Sequence, residues 1–162
     1  MMDDLVFENT RFDPDINSFH GLAKAMAEEF GYKASLAIDR RLANILRLRV
    51  AQLNPCSYCL ILHNRVAIES GIESVVVSHL QSWRHSTMFT AEEAAALSYC
   101  EVLTNFDHSE FDRVHRELSV YFNEAEIVEI AAVVINMNVW TRLKLAQGAV
   151  PSHGAGQAES EA

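Results

Sequence analysis

Two cysteines and a histidine lie close together in Asn54-Pro55-Cys56-Ser57-Tyr58-Cys59-Leu60-Ile61-Leu62-His63. On an α-helix Cys56 and Cys59 are i, i+3, and Cys59 and His63 are i, i+4, so all three side chains share one face within two turns. Cys56 falls in the first turn, where unsatisfied N–H groups and the positive end of the helix dipole favour a thiolate. His63 follows one turn after Cys59, placed to take its proton or to steady the anion. Three chemistries compete for this face. In a dithiol redox centre one thiolate attacks an oxidant and the neighbouring thiol converts the sulfenic acid to a disulfide. A structural zinc site needs four ligands, and the candidates for the fourth, His79 and His85, are not visibly arranged for it. The third reading is two core cysteines beside an incidental histidine. The redox centre accounts for all three residue types at once.

These residues need a helix to carry them, and the sequence supplies a series of helices. Prolines stand only at 14, 55 and 151 and glycines number six, so punctuation is sparse and the long segments between read with helical periodicity. A first helix runs from Asn17 to about Phe30, with Leu22, Met26 and Phe30 on one side and Gly31 as its terminator. A second spans roughly Leu36 to Leu53. Asn54-Pro55 reads as the cap and first position of the cysteine helix, which continues to Ser70. A short segment follows at Glu73–Gln81. Thr90-Ala91-Glu92-Glu93 and Asn123-Glu124-Ala125-Glu126 are capping boxes, opening helices to about Asn105 and Gln147, and a further helix lies between them. Residues 127–140 carry one charge, Glu129, so that helix must be covered on nearly every side, by the core or by another subunit. The expected organisation is an acidic arm at 1–16, an all-α helical domain at 17–147 and a small, polar, flexible tail at 148–162.

Composition narrows the partners. Among 162 residues, 13 Lys+Arg face 22 Asp+Glu, a formal net charge of −9. Phosphate neutralisation needs clustered cations, so neither nucleic acid nor an anionic membrane surface is expected as a partner. No stretch approaches the ~20 apolar residues of a membrane span. Met1-Met2-Asp3-Asp4 does not read as a secretory leader, and three cysteines do not make a disulfide framework; the expected location is the cytoplasm.

The run Arg47 to His63, with Gly71 and the late Asn136-Met-Asn-Val-Trp-Thr-Arg142, resembles the AhpD-like alkylhydroperoxidases of the carboxymuconolactone decarboxylase superfamily. The likeness covers roughly residues 36–147. It implies an all-α bundle that assembles as a homo-oligomer (dimer, trimer or hexamer). It also implies a thiol-dependent peroxidase that takes a small-molecule hydroperoxide, uses no cofactor and no metal, and is restored by an external dithiol or thioredoxin-like reductant. By the same resemblance Cys59 matches the peroxidatic cysteine, Cys56 the proton donor and resolving partner, and His63 the histidine of the proton relay. Helix-end electrostatics favours Cys56 as the more acidic thiol, whereas the histidine spacing and the family favour Cys59 as the attacker. The family's relay glutamate, twelve residues before the first cysteine, is here Asn44, an amide that cannot carry a proton but can orient a water or the imidazole. Tyr58 stands where some members have histidine, and Pro55 where glycine is usual.

Tyr58 is placed either to contact substrate or to pack. His85, with Trp83, either lines the mouth of the site or sits in a surface loop. Cys100, in an alanine-rich helix without His or Cys neighbours, reads as core. Arg47 and Arg49 lead towards the cysteine helix, either to favour an anionic substrate or a thiolate or, as the default, as solvated or paired surface arginines. The rival functions are a carboxymuconolactone-type decarboxylase, which needs no thiol, and a non-catalytic helical oligomer that binds partners or senses redox state.

Overall fold

Reciprocal caps fix the starts of the two most strongly signalled helices. Thr90 Oγ1 accepts from the Glu93 N–H while Glu93 returns a hydrogen bond to the Thr90 N–H, and Asn123 and Glu126 repeat the device. In the computed structural model, which describes residues 5–154, seven α-helices and a two-stranded sheet follow in the order β1 (Leu5–Asn9), α1 (Phe19–Phe30), α2 (Arg40–Leu53), α3 (Ser57–Glu69), α4 (Ser74–Ser78), a 3₁₀ segment (Leu80–His85), α5 (Ala91–Asn105), α6 (Phe111–Leu118), α7 (Glu124–Gln147) and β2 (Ala149–His153). The fold is the all-α bundle expected. None of the described helices is long and apolar enough to cross a membrane.

Helix α2 is the hub. It packs on α3, α5 and α7, and Ala43, Ile45, Leu46, Val50 and Ala51 have essentially no exposed surface. Its start lies four residues later than the periodicity suggests, because the Asp39 side chain caps the Leu42 N–H. Helix α7 packs against α1, α2 and α5. Its one mid-helix charge, Glu129, accepts from the N–H groups of Ala37 and Ile38 and so pins the approach to α2.

Both termini depart from the expected arm and tail. Residues 5–9 and 149–153 pair antiparallel, Leu5 opposite His153 and Asn9 opposite Ala149. The turn that allows it is Gly148, whose φ of 70° ends α7 in the left-handed region. A Cβ there would collide with Thr10 Oγ1. Thr10 and Arg11 then donate backbone hydrogen bonds to the Gly148 and Gln147 carbonyls. The expected flexibility of the rest of the tail, residues 155–162, lies outside the described residues. The sheet has a consequence for the site: Phe7 packs edge-on against the Tyr58 ring, 4.8 Å between centroids, so the N-terminal strand braces the cysteine helix.

Candidate functional site

The cysteine helix begins two residues later than the Asn-Pro signal implies. Its N-cap is Cys56 itself, in an extended conformation, with Sγ accepting from the Cys59 N–H at 3.4 Å. Asn54 is drawn away from capping because its side chain donates to Asn138 Oδ1 and Thr141 Oγ1 on α7, both at 2.9 Å, tying the α2–α3 junction to that helix. Cys56 therefore occupies the position where a side-chain acceptor is wanted most, and a thiolate fills it better than a thiol.

Both thiols are free and buried, and their Sγ atoms lie 2.8 Å apart, within hydrogen-bonding distance of each other. That hydrogen bond is the largest influence holding the Cys56 thiol down to about 7; backbone N–H groups of Cys59 and Tyr58 and the Lys144 charge add to it, against burial. The same bond, with burial, pushes Cys59 upward. The pair thus gives up its first proton readily and holds the second tightly.

The sulfurs differ in what they face. Cys59 lines a cavity of about 260 Å³ between α1, α3 and α7, together with Tyr32, Tyr58, His63, Asn136 and Trp140. Cys56 is not part of its lining. The one ionised side chain of the wall is Arg65, and none of the lining side chains is a carboxylate. Tyr58 packs against Phe7 and also forms part of the cavity wall.

His63 is brought to the cavity beside Cys59, as its spacing requires, and is buried there. Its ring is 6% exposed, meets Tyr32 edge-on, and its Nδ1 has no hydrogen-bond partner. Burial, reinforced by the Arg47 charge, lowers its pKa to about 3, so the imidazole is neutral at ordinary pH.

Arg47 is the main correction to the sequence reading. It is not a surface arginine: it is 2% exposed, and its guanidinium donates to the Phe30 and Gly31 carbonyls at the end of α1 and to Asn44 Oδ1 at 2.9 Å. Burial and the nearby Arg40 charge lower its pKa to about 10. Asn44, at the relay position, is likewise buried, and its Nδ2 lacks a partner. Arg49, by contrast, is paired, with Glu101.

His85 lies exposed at the end of the 3₁₀ segment and is not part of the cysteine cavity. Trp83 is buried away from it, donating to Glu101. His79 is occupied by the Val75 carbonyl and Ser86 Oγ. Among the described residues no group of three His, Cys, Asp or Glu side chains is placed to hold a metal ion. Cys100 is fully buried, with its thiol raised to about 12 by burial. Sequence reasoning missed Asn136, which lines the cavity with Oδ1 unpartnered, and Lys144, whose Nζ lies 4.3 Å from the Tyr58 ring centroid. Asn136 was legible as an amide in an apolar helix; Lys144 was not, because its neighbours come from α3.

Comparison with known proteins places the chain. Residues 21–101 match the carboxymuconolactone decarboxylase family. An uncharacterized protein of Bacillus subtilis (strain 168), YdfG, is 25% identical over 126 residues, 77% of this chain and 86% of that protein. A crystal structure from Agrobacterium tumefaciens, of a protein of unknown function suggested to be the antioxidant defence protein AhpD, superposes with a TM-score of 0.74 at 21% identity, covering 80% of this chain and 87% of that one. The debrominase Bmp8, in a cysteine-to-alanine variant bound to 2,3,4-tribromopyrrole, superposes with a TM-score of 0.68 at 20% identity, over 82% of this chain and 68% of that one. The fold therefore hosts more than one chemistry.

Proposed function

Because this chain belongs to the carboxymuconolactone decarboxylase family, we propose that it is a thiol-dependent peroxidase whose Cys56–Cys59 pair reduces organic hydroperoxides or hydrogen peroxide. The observation that carries this reading is the asymmetry of the pair: two free sulfurs 2.8 Å apart, of which Cys59 faces a cavity and Cys56 stands behind it at a helix N-terminus.

The cycle begins with the monoanion. Cys56 takes the proton of Cys59 along their hydrogen bond, and the Cys59 thiolate attacks the terminal oxygen of ROOH. The O–O bond breaks, Cys59 becomes a sulfenic acid, and RO⁻ leaves as ROH with the proton held by Cys56. The Cys56 thiolate then attacks the Cys59 sulfur, hydroxide leaves and is protonated to water, and a Cys56–Cys59 disulfide forms. Neutral His63 passes a proton on without retaining it and orients the peroxide. An external dithiol or thioredoxin-like reductant returns the two electrons, since Cys100 is sealed in the core. As in the family, the working form is a homo-oligomer.

Steady-state consumption of cumene hydroperoxide with dithiothreitol tests the reading. The wild type is expected to turn over and Cys59→Ser to fall to the uncatalysed rate. A wild type that forms the disulfide once and does not turn over would favour redox sensing, the reading that Asn44 at the relay position supports. Bromide release from 2,3,4-tribromopyrrole by a peroxide-inert wild type would move the assignment to dehalogenation.

A further inference from the structure

Lys144 lies one turn beyond Trp140 on α7 and reaches back over the cysteine helix. Its Nζ stands 4.3 Å from the centroid of the Tyr58 ring and 5.7 Å from that of Trp140, and both rings line the cavity that Cys59 faces. The side chain is half-buried, and among the described residues no carboxylate lies within ion-pair distance of it. An ammonium withdrawn from water and left without an anion is held by the faces of the two aromatic rings.

We propose that Lys144 is a positioning residue for the redox pair: fixed on Tyr58 and Trp140, its charge keeps the Cys56–Cys59 pair in the monoanionic state from which the reaction starts. The inference rests on the dithiol reading above and adds the source of the positive charge, a role the neutral His63 cannot fill. The groups facing Lys144 are few. Cys56 caps α3 and Tyr58 and Cys59 lie in its first turn; Asp15 comes from the segment before α1 and Lys24 from α1. Asp15 is engaged with His20 Nδ1 at 2.7 Å, and Lys24 is a like charge. The Lys144 charge favours the ionised form of both sulfurs, and the sulfurs in turn favour protonated Lys144 against the effect of its burial. Partial burial shortens the reach of salt screening, so the effect persists at ordinary ionic strength.

The test is the pH profile of iodoacetamide alkylation of the reduced full-length chain, from about pH 5 to about pH 9, for wild type, K144M and K144R. Alkylation needs no peroxide, so the result stands whether or not the protein proves to be a peroxidase. K144M is expected to shift the midpoint upward and to slow alkylation about three- to tenfold below it, while K144R keeps the wild-type midpoint to within about twofold. Circular dichroism confirms that each variant is folded, and K144Q replaces K144M in the comparison if the latter is not. A neutral variant whose profile superimposes on the wild type overturns the proposal. So does a K144R profile displaced as far as that of K144M.

Discussion

Two arginines two residues apart on α2 enter two buried polar clusters of opposite character. Arg49 joins a saturated one: Glu101 accepts from Arg49, Arg84 and the Trp83 indole N–H at 2.6–2.9 Å, and Gln52 takes a further Arg49 hydrogen bond. Burial works against the Glu101 carboxylate, but these hydrogen bonds and charges outweigh it and hold its pKa below the ordinary value. Arg47 joins an unsaturated one. Around it and the adjoining cavity, Asn44 Nδ2, Arg47 Nε, His63 Nδ1, Asn136 Oδ1 and Trp140 Nε1 are buried without partners. Native cores leave few such atoms, and each costs on the order of 1–3 kcal/mol in lost hydration. The first cluster pairs its polar groups with one another; the second leaves these atoms without a protein partner beside two free thiols.

The largest expected effect breaks the saturated side. Glu101→Ala strands the largely buried Arg49 guanidinium and the Trp83 indole N–H, while the exposed Arg84 turns to water, and should cost about 3 kcal/mol, a fall in Tm of roughly 6–12 °C for a chain of this size. Differential scanning calorimetry reads the loss, and the iodoacetamide profile of the surviving folded protein should be that of the wild type. A changed thiol profile would mean that the clusters are coupled through α2 and that the contrast is false.

The pH dependence of stability probes the unsaturated side. His63 is charged below about pH 6.5 in the unfolded chain and only below about pH 3 in the fold. The folded state therefore binds fewer protons between those values. The contribution is complete above pH 6.5 and is lost as the pH falls toward 3, with a slope approaching 1.4 kcal/mol per pH unit. Urea unfolding of wild type and His63→Gln at pH 7, 5.5 and 4.5 checks it: the wild type should weaken on acidification more steeply than the variant. Parallel slopes would place His63 in contact with water.

Asn44→Glu tests the missing relay carboxylate. A glutamate reaching the position of Asn44 Oδ1 would meet Arg47, whose guanidinium now lies 2.9 Å from that oxygen. The ion pair would keep the carboxylate ionised, so its benefit would pass through His63, relieved of part of the Arg47 charge that helps to suppress its protonation. Peroxide turnover should rise about tenfold, less than the ~10²-fold or more that a directly positioned acid–base group supplies, because the effect is indirect. Unchanged turnover would show that the burial of His63, rather than the neighbouring charge, sets its basicity.

How much of this could be read from the sequence follows from the reach of each interaction. Cys59 and His63 share a face because of helix geometry alone, and the capping boxes at Thr90 and Asn123 are three-residue devices; both were legible, whereas Cys56 stands outside the helix as its N-cap. The start of α3 was misjudged because a distant helix, through Asn138 and Thr141, takes the Asn54 side chain out of competition. Arg47 was misread because its charge looks solvent-bound until the end of α1 is seen to offer it two carbonyls. The terminal sheet pairs residues more than 130 positions apart, with a Gly148 turn that resembles the start of a loose tail. Lys144 acquires meaning only when α7 is laid across α3.

Asn136→Leu is the smallest expected perturbation of stability and the most discriminating one. In a saturated cluster, truncating any member leaves its partners stranded; in an unsaturated one, removing an orphan removes a cost. Asn136 Oδ1 has no partner to strand, so an apolar side chain of similar shape should leave Tm within about 2 °C of the wild type, or raise it, since a buried unpaired polar atom has been taken away. Its effect on function should run the other way. If Asn136 is kept to meet the hydroperoxide in the cavity, its loss should raise KM severalfold while kcat at saturating peroxide and the iodoacetamide profile hold. Stability lost by several degrees would show that the amide was already paired, through water, in the resting fold. Stability gained with KM unchanged would show that the cavity is used by something that does not touch this wall.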